Sequence, residues 1–210
     1  MAAVVESPPR EEAQVRRTPG SYAQFETAVK ANPLSTVEYM DGEIYITHAP
    51  TPIHQLISRN LSREVDRYAR KRAMGTVLTS PLETELDPDA QIVQPDLIFI
   101  RKDRLAALFG TRRITGAPDL AVEITSPSTA RTDRFVKLML YARYGVAEYW
   151  IVDVEEHTVT VYILDGDRYQ VGGVFLAEDR DGEGTGDGTV IKVGQFGEAE
   201  IGVERIFALG

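Results

Sequence analysis

Residues 97–100 read Leu-Ile-Phe-Ile and residues 120–122 read Leu-Ala-Val, with no polar residue inside either run. A strand with one wet face alternates apolar and polar side chains, whereas a strand covered on both faces need not. The two runs therefore predict central strands with packing layers above and below them. The strongest helical pattern is a stripe of Ile53, Leu56, Ile57, Asn60, Leu61, Glu64, Val65, Tyr68 and Ala69 at 3.6 spacing, which predicts a helix over 53–72. Gly75 suits its stop. Its other faces carry Arg59, Arg63, Arg67, Arg70, Lys71 and Arg72, interleaved with Glu64 and Asp66, and read as solvated rather than as a track for DNA.

The remaining pattern fills in around these elements. Ser21 can cap a helix running to Ala31, where Asn32-Pro33 ends it. Residues 37–48 read as a hairpin about the Asp41-Gly42 turn. Further strands are expected at 76–86, 92–101 and 119–125, with one or two helical turns at 103–109. A second helix is expected over 132–144, its apolar stripe being Phe135, Leu138, Met139 and Ala142. Strands at 148–153 and 157–164 follow, and 165–210 reads as a β-rich end with an acidic glycine loop at 182–188. Residues 1–20 carry three prolines and few large apolar groups, and are expected to be a disordered tail. Residues 21–210 are expected to form a single α/β domain with a mixed sheet flanked by helices.

Composition narrows the chemistry. There is no cysteine, which removes disulfides, thiol nucleophiles and cysteine-ligated metals. His48, His54 and His157 are too few and too scattered for a histidine-based zinc site. The net charge of −9 is uneven: residues 145–210 hold 4 Lys/Arg against 14 Asp/Glu, a net of −10, and residues 1–144 hold 19 against 18, a net of +1. That balance argues against avid, sequence-indifferent binding to nucleic acid or anionic membrane, while leaving a local basic surface in the first two-thirds. No apolar run approaches the ~18 residues of a membrane-spanning helix, and the start lacks a signal-peptide core, so a cytoplasmic location is expected.

Three residues carry candidate chemistry. Asp96 follows Pro95 just before the most apolar strand, Glu123 lies inside another apolar strand, and Lys137 lies on the helix after it. A carboxylate in a central apolar strand is costly unless it is paired or binds a cation. Two of them on neighbouring strands would offer hard oxygen ligands to Mg²⁺ or Mn²⁺. A nearby lysine would place positive charge where a transferring phosphoryl oxygen needs it.

These residues resemble the Asp, Glu, Lys pattern of the PD-(D/E)XK nuclease superfamily. Across residues 22–207 the sequence is closer still to the Uma-two family of restriction-endonuclease-like proteins. The carriers are Tyr39 to Glu43, His54, Val93 to Leu97, Pro118 to Thr129, Asp133 to Leu138, Tyr141-Ala142 and Gly145 to Asp153. The resemblance implies a restriction-endonuclease-like fold and metal-dependent hydrolysis of a phosphodiester, with DNA as substrate. It implies Asp96 and Glu123 as metal ligands, the Ile124 carbonyl as a further ligand, Lys137 as the residue orienting water, and Glu43 as an acid near the metal. The superfamily's usual lysine stands two residues after the glutamate; that position is Thr125 here, which points to Lys137 instead.

Plainer readings stand beside each of these. Asp96 could end a turn, Glu123 could pair with Arg134, and Lys137 could be solvated, since it lies off the expected stripe. Glu43 could be an exposed hairpin residue. His54 either helps cap its helix or faces the cleft, and Gln94 either touches the site or is an edge polar residue. A homodimer is expected through Tyr149-Trp150 and the 157–164 strand unless both belong to the core. Asp179, Asp181 and Glu183 begin like a calcium loop, but Val190 stands where its bidentate glutamate would be. The alternative function is a nuclease-like fold retained as a binding or scaffold module without turnover.

Overall fold

The computed structural model describes residues 15–88, 90–177, 189–192, 194–196 and 201–209. In chain order the elements are β1 (Arg16–Pro19), α1 (Tyr22–Ala31), β2 (Thr36–Met40), β3 (Glu43–Thr47), α2 (Pro52–Lys71), β4 (Gly75–Thr79), β5 (Thr84–Asp87), β6 (Gln91–Val93) and β7 (Leu97–Arg101). Next come α3 (Leu105–Leu108), β8 (Ile114–Thr115), β9 (Leu120–Thr125), a π-helical segment (Thr132–Lys137), α4 (Leu138–Arg143), β10 (Glu148–Asp153), β11 (Thr158–Asp165) and β12 (Arg168–Leu176). A short pair β13 (Val190–Ile191) and β14 (Ile201–Gly202), a 3₁₀ turn (Gly194–Phe196) and α5 (Val203–Phe207) complete the described residues.

The strands form two mixed six-stranded sheets. The first has the order β1-β3-β2-β6-β5-β8 and the second β12-β11-β10-β9-β7-β4. From β1 to β12 the chain crosses between them five times. The expected single strands at 76–86 and 92–101 are each split, β4 and β7 joining the second sheet and β5 and β6 the first. The breaks fall at Ser80-Pro81 and Gln94-Pro95, where proline lacks the N–H a ladder needs. Pro95-Asp96 thus lies at one of the crossings, from β6 to β7.

In the second sheet β9 and β10 are parallel neighbours, Glu123 opposite Ile151, joined through the π-helical segment and α4 as a βαβ unit. Alternation along β9 sends Leu120, Val122 and Ile124 to one face. There they pack with Ile57, Leu61 and Val65 of α2, and with Phe99 and Trp150. Ala121 points the other way, into a cluster with Met40 and Tyr45 of the first sheet and Leu140, Tyr141, Tyr149 and Ile151. Glu123 shares that second face. The doubly covered strands expected from the apolar runs are present.

Other elements follow local chemistry. Ser21 and Gln24 form a capping box on α1, and Thr51 caps α2 with Pro52 in its first turn. Asp41 and Gly42, both at positive φ, make the β2–β3 turn. Three expectations are corrected. Residues 16–19, read as part of a disordered tail, pair with β3 as a sheet edge; residues 1–14 lie outside the described residues. In the 132–144 helix, Phe135 and Met139 are 65% and 67% exposed, while Asp133, Lys137, Leu140 and Tyr141 are buried. The π-helical turn and a polar buried face displace the apolar stripe. Tyr149 and Trp150 are fully buried, so they form no dimer surface. The 182–188 loop and the Asp179 to Glu183 stretch lie outside the described residues.

The C-terminal turn is pinned by a buried carboxylate. Glu148 accepts from Trp150 Nε1 at 2.6 Å and from the Gln195 backbone N–H at 2.7 Å, and Phe196 lies edge-on to Phe99 and Trp150. Burial pushes the Glu148 carboxyl up from 4.5 to about 6. The folded chain then holds this proton more tightly than the unfolded chain. Its stabilising contribution is full below about pH 4.5 and is lost as pH rises through about 6. Trp150 is the only tryptophan. Its fluorescence is expected to titrate near pH 6, and Glu148→Gln to abolish that transition; an unchanged titration in the variant contradicts the pairing.

Candidate active site

The two sheets and the crossover helix meet at one buried lysine. Lys137, at the C-terminal end of the π-helical segment, places Nζ 2.9 Å from Glu123 Oε1 of β9 and 2.9 Å from Glu38 Oε1 of β2. Asp133, one turn earlier, lies 3.9 Å away. All four side chains are at most 5% exposed. Glu123 Oε1 also accepts from the Tyr141 hydroxyl at 2.7 Å. The spacing 133, 137, 141 puts the acid, the lysine and the phenol on the same buried face of the helix.

Asp96 completes the group from a crossing between sheets. Its Oδ2 accepts from the Ile124 backbone N–H at 2.8 Å and from His54 Nε2 at 3.2 Å. His54 stands at the first turn of α2, its own N–H held by the Thr51 cap, and its Nδ1 is buried without a partner. Its ring turns onto Asp96 while its backbone takes the cap at the helix start. Gln94 contributes mainly through its backbone, its N–H donating to Glu38 Oε1 at 2.8 Å and its side-chain amide reaching the Val37 carbonyl.

Electrostatics follow from one ammonium among four carboxylates. Burial drives the Glu123 carboxyl well above its ordinary value, against the pull of Lys137, and drives Asp133 up to about 7. Burial opposes the Lys137 charge, but Glu123, Glu38 and Asp133 outweigh it and hold the ammonium protonated. Glu38, Glu123 and Asp133 thus crowd a single ammonium. Burial likewise lowers His54, but the Asp96 hydrogen bond and charge reverse the shift and raise it.

The sequence-expected residues thus divide. Asp96, Glu123, Ile124, Lys137, His54 and Gln94 converge. Glu43 does not: it sits on β3, accepting from Arg17 at 2.8 Å and from Tyr45 at 3.0 Å. The acid beside Lys137 is Glu38, which the sequence reading passed over, as it did Asp133 as a partner of the lysine. Arg134, the alternative partner for Glu123, pairs with Asp153 at 2.5 Å. Lys137 is not solvated. Among the described residues, no three His, Asp or Glu side chains already stand together at metal-holding geometry. The donor chemistry nevertheless fits a hard divalent ion, for it offers buried carboxylate oxygens in excess of local positive charge.

A parallel βαβ unit thus carries Glu123 inside its first strand and Lys137 on its crossover helix, with Asp96 on the adjoining loop. Comparison with known proteins places the fold. The family described as Uma2, "Putative restriction endonuclease", matches residues 21–182, and the chain belongs to that family. A solved structure from Anabaena variabilis, described as a "putative nuclease belonging to DUF820", superposes with a TM-score of 0.67 at 20% identity, covering 90% of this chain and 98% of that one. It has the same fold. A search of curated proteins found no match. No helix among the described residues is long and apolar enough to cross a membrane.

Tyr141→Phe removes one donor from a buried carboxylate that has few. A loss of about 1–3 kcal/mol is expected in chemical denaturation at neutral pH, and an unchanged midpoint would show that the 2.7 Å contact contributes nothing.

Proposed function

We propose that this protein is a divalent-metal-dependent endonuclease that hydrolyses DNA phosphodiester bonds, with Mg²⁺ or Mn²⁺ held by Asp96 and Glu123. The observation that carries the reading is the convergence of Asp96, Glu123 and Lys137 from a loop, a central strand and a crossover helix. The Ile124 carbonyl is a candidate further ligand. When bound, the metal would lower the pKa of a water and polarise the phosphoryl group.

The chain's own residues supply the rest. The Ile124 N–H and His54 both bond to Oδ2 of Asp96, fixing that carboxylate's orientation before any ligand arrives. Tyr141 fixes Glu123 in the same way. Lys137 supplies positive charge against the phosphoryl oxygens as negative charge develops on them. Burial of the cluster makes each of these interactions stronger than it would be in water.

The test combines binding and cleavage. Mn²⁺ calorimetry on the wild type and on the Asp96→Asn/Glu123→Gln double variant is expected to show a site lost in the variant. Wild-type protein is expected to cut at least one of single-stranded, duplex or branched DNA when Mg²⁺ or Mn²⁺ is added, with cutting reduced by about a thousandfold or more in the variant. Equal Mn²⁺ binding by both proteins, or equal cleavage, rejects the assignment.

A further inference from the structure

We propose that in the metal-free protein Lys137 is itself the resident cation of this site. Its ammonium sits on Oε1 of Glu123, the carboxylate that a divalent ion would share with Asp96, and metal binding draws it off that oxygen. The inference rests on the reading of Asp96 and Glu123 as metal ligands and adds an exchange of cations to it.

Three observations carry it. First, Nζ lies 2.9 Å from a carboxylate oxygen on each sheet, a bridging position rather than a terminal one. Glu123 Oε1 then has two donors, the ammonium and Tyr141, so a cation approaching that oxygen meets the lysine's charge at contact range. Second, three acids, Glu38, Glu123 and Asp133, face the single lysine, so acidic groups outnumber the ammonium they surround. Third, Lys137 has somewhere to go. Asp133 stands one turn away at 3.9 Å, and Glu38 already holds the ammonium. A small rotation of the flexible lysine stem off Glu123 leaves Nζ on Glu38 and Asp133. The π-helical turn brings Asp133 and Lys137 to the same buried face, which makes this second resting place available. The exchange would also couple the chemistry to metal, because the lysine is released from Glu123 only when a divalent ion replaces it there.

The consequence runs against the usual expectation for a catalytic lysine: removing it should tighten metal binding. Lys137→Gln and Lys137→Met are expected to bind Mn²⁺ about tenfold or more tightly than wild type in calorimetry at one pH, while losing cleavage. Their thermal midpoints are expected to fall without metal and to rise on Mn²⁺ addition by more than the wild-type midpoint does. A variant that is unfolded alone but folds on Mn²⁺ addition supports the exchange, as does Mn²⁺ binding by the variants but not by wild type. Equal or weaker binding by both variants, no metal rescue of an unfolded one, or no Mn²⁺ binding by any of the proteins overturns it. The nuclease reading is judged separately. If the Asp96→Asn/Glu123→Gln variant loses a wild-type Mn²⁺ site that the Lys137 variants keep unchanged, the metal ligands stand and only the exchange falls.

Discussion

An ammonium ion buried between carboxylates of two different sheets is the interaction on which the rest of this structure depends. Lys137 reaches Glu38 on one sheet and Glu123 on the other, and no other charged contact among the described residues joins the sheets through their interior at such depth. Breaking a buried pair by removing one partner leaves an uncompensated charge, which is far costlier than losing a surface bridge. The sheets are thus clamped at the point where the candidate chemistry sits. Apolar packing surrounds the clamp: Met40 and Tyr45 come from the first sheet, and Ala121, Tyr149 and Ile151 from the second.

The backbone explains why these groups meet. The chain passes from one sheet to the other at Pro95, and the residue after that break is Asp96. A carboxylate at the start of an interior strand can turn toward its neighbour, and here it takes the Ile124 N–H. The parallel pairing of β9 with β10 requires a crossover, and the crossover helix delivers Lys137 and Tyr141 back over Glu123. The same helix turns Phe135 and Met139 outward, so its polar side is the buried one.

Much of this was legible in the residues. The runs at 97–100 and 120–122 announced covered strands, and the 53–72 stripe gave α2 to within a residue. Asp96, Glu123 and Lys137 stood out because charges beside or inside apolar segments need a reason. Glu38 met the same criterion, lying inside Val37-Glu38-Tyr39-Met40, but the family resemblance pointed to Glu43 instead. Asp133 gave less signal, since an acid in a helix's first turn is ordinary on its own. The split of 76–86 and 92–101 between two sheets depended on tertiary pairing, which local pattern does not contain. Prolines 81 and 95 marked the break points without saying where the chain went next. The helix stripe through Phe135 and Met139 failed because apolar periodicity assumes the buried face is the apolar one, and here the buried face carries the site.

The most direct measurement is a crystal structure of the wild-type protein grown or soaked with Mn²⁺, with data collected for anomalous scattering. The account expects a manganese peak at about 2.2 Å from carboxylate oxygens of Asp96 and Glu123, with the Lys137 ammonium withdrawn from Glu123. Manganese bound only elsewhere would contradict the metal assignment. A manganese ion on Asp96 and Glu123 with Lys137 still bridging Glu38 and Glu123 would uphold the ligands and contradict the exchange.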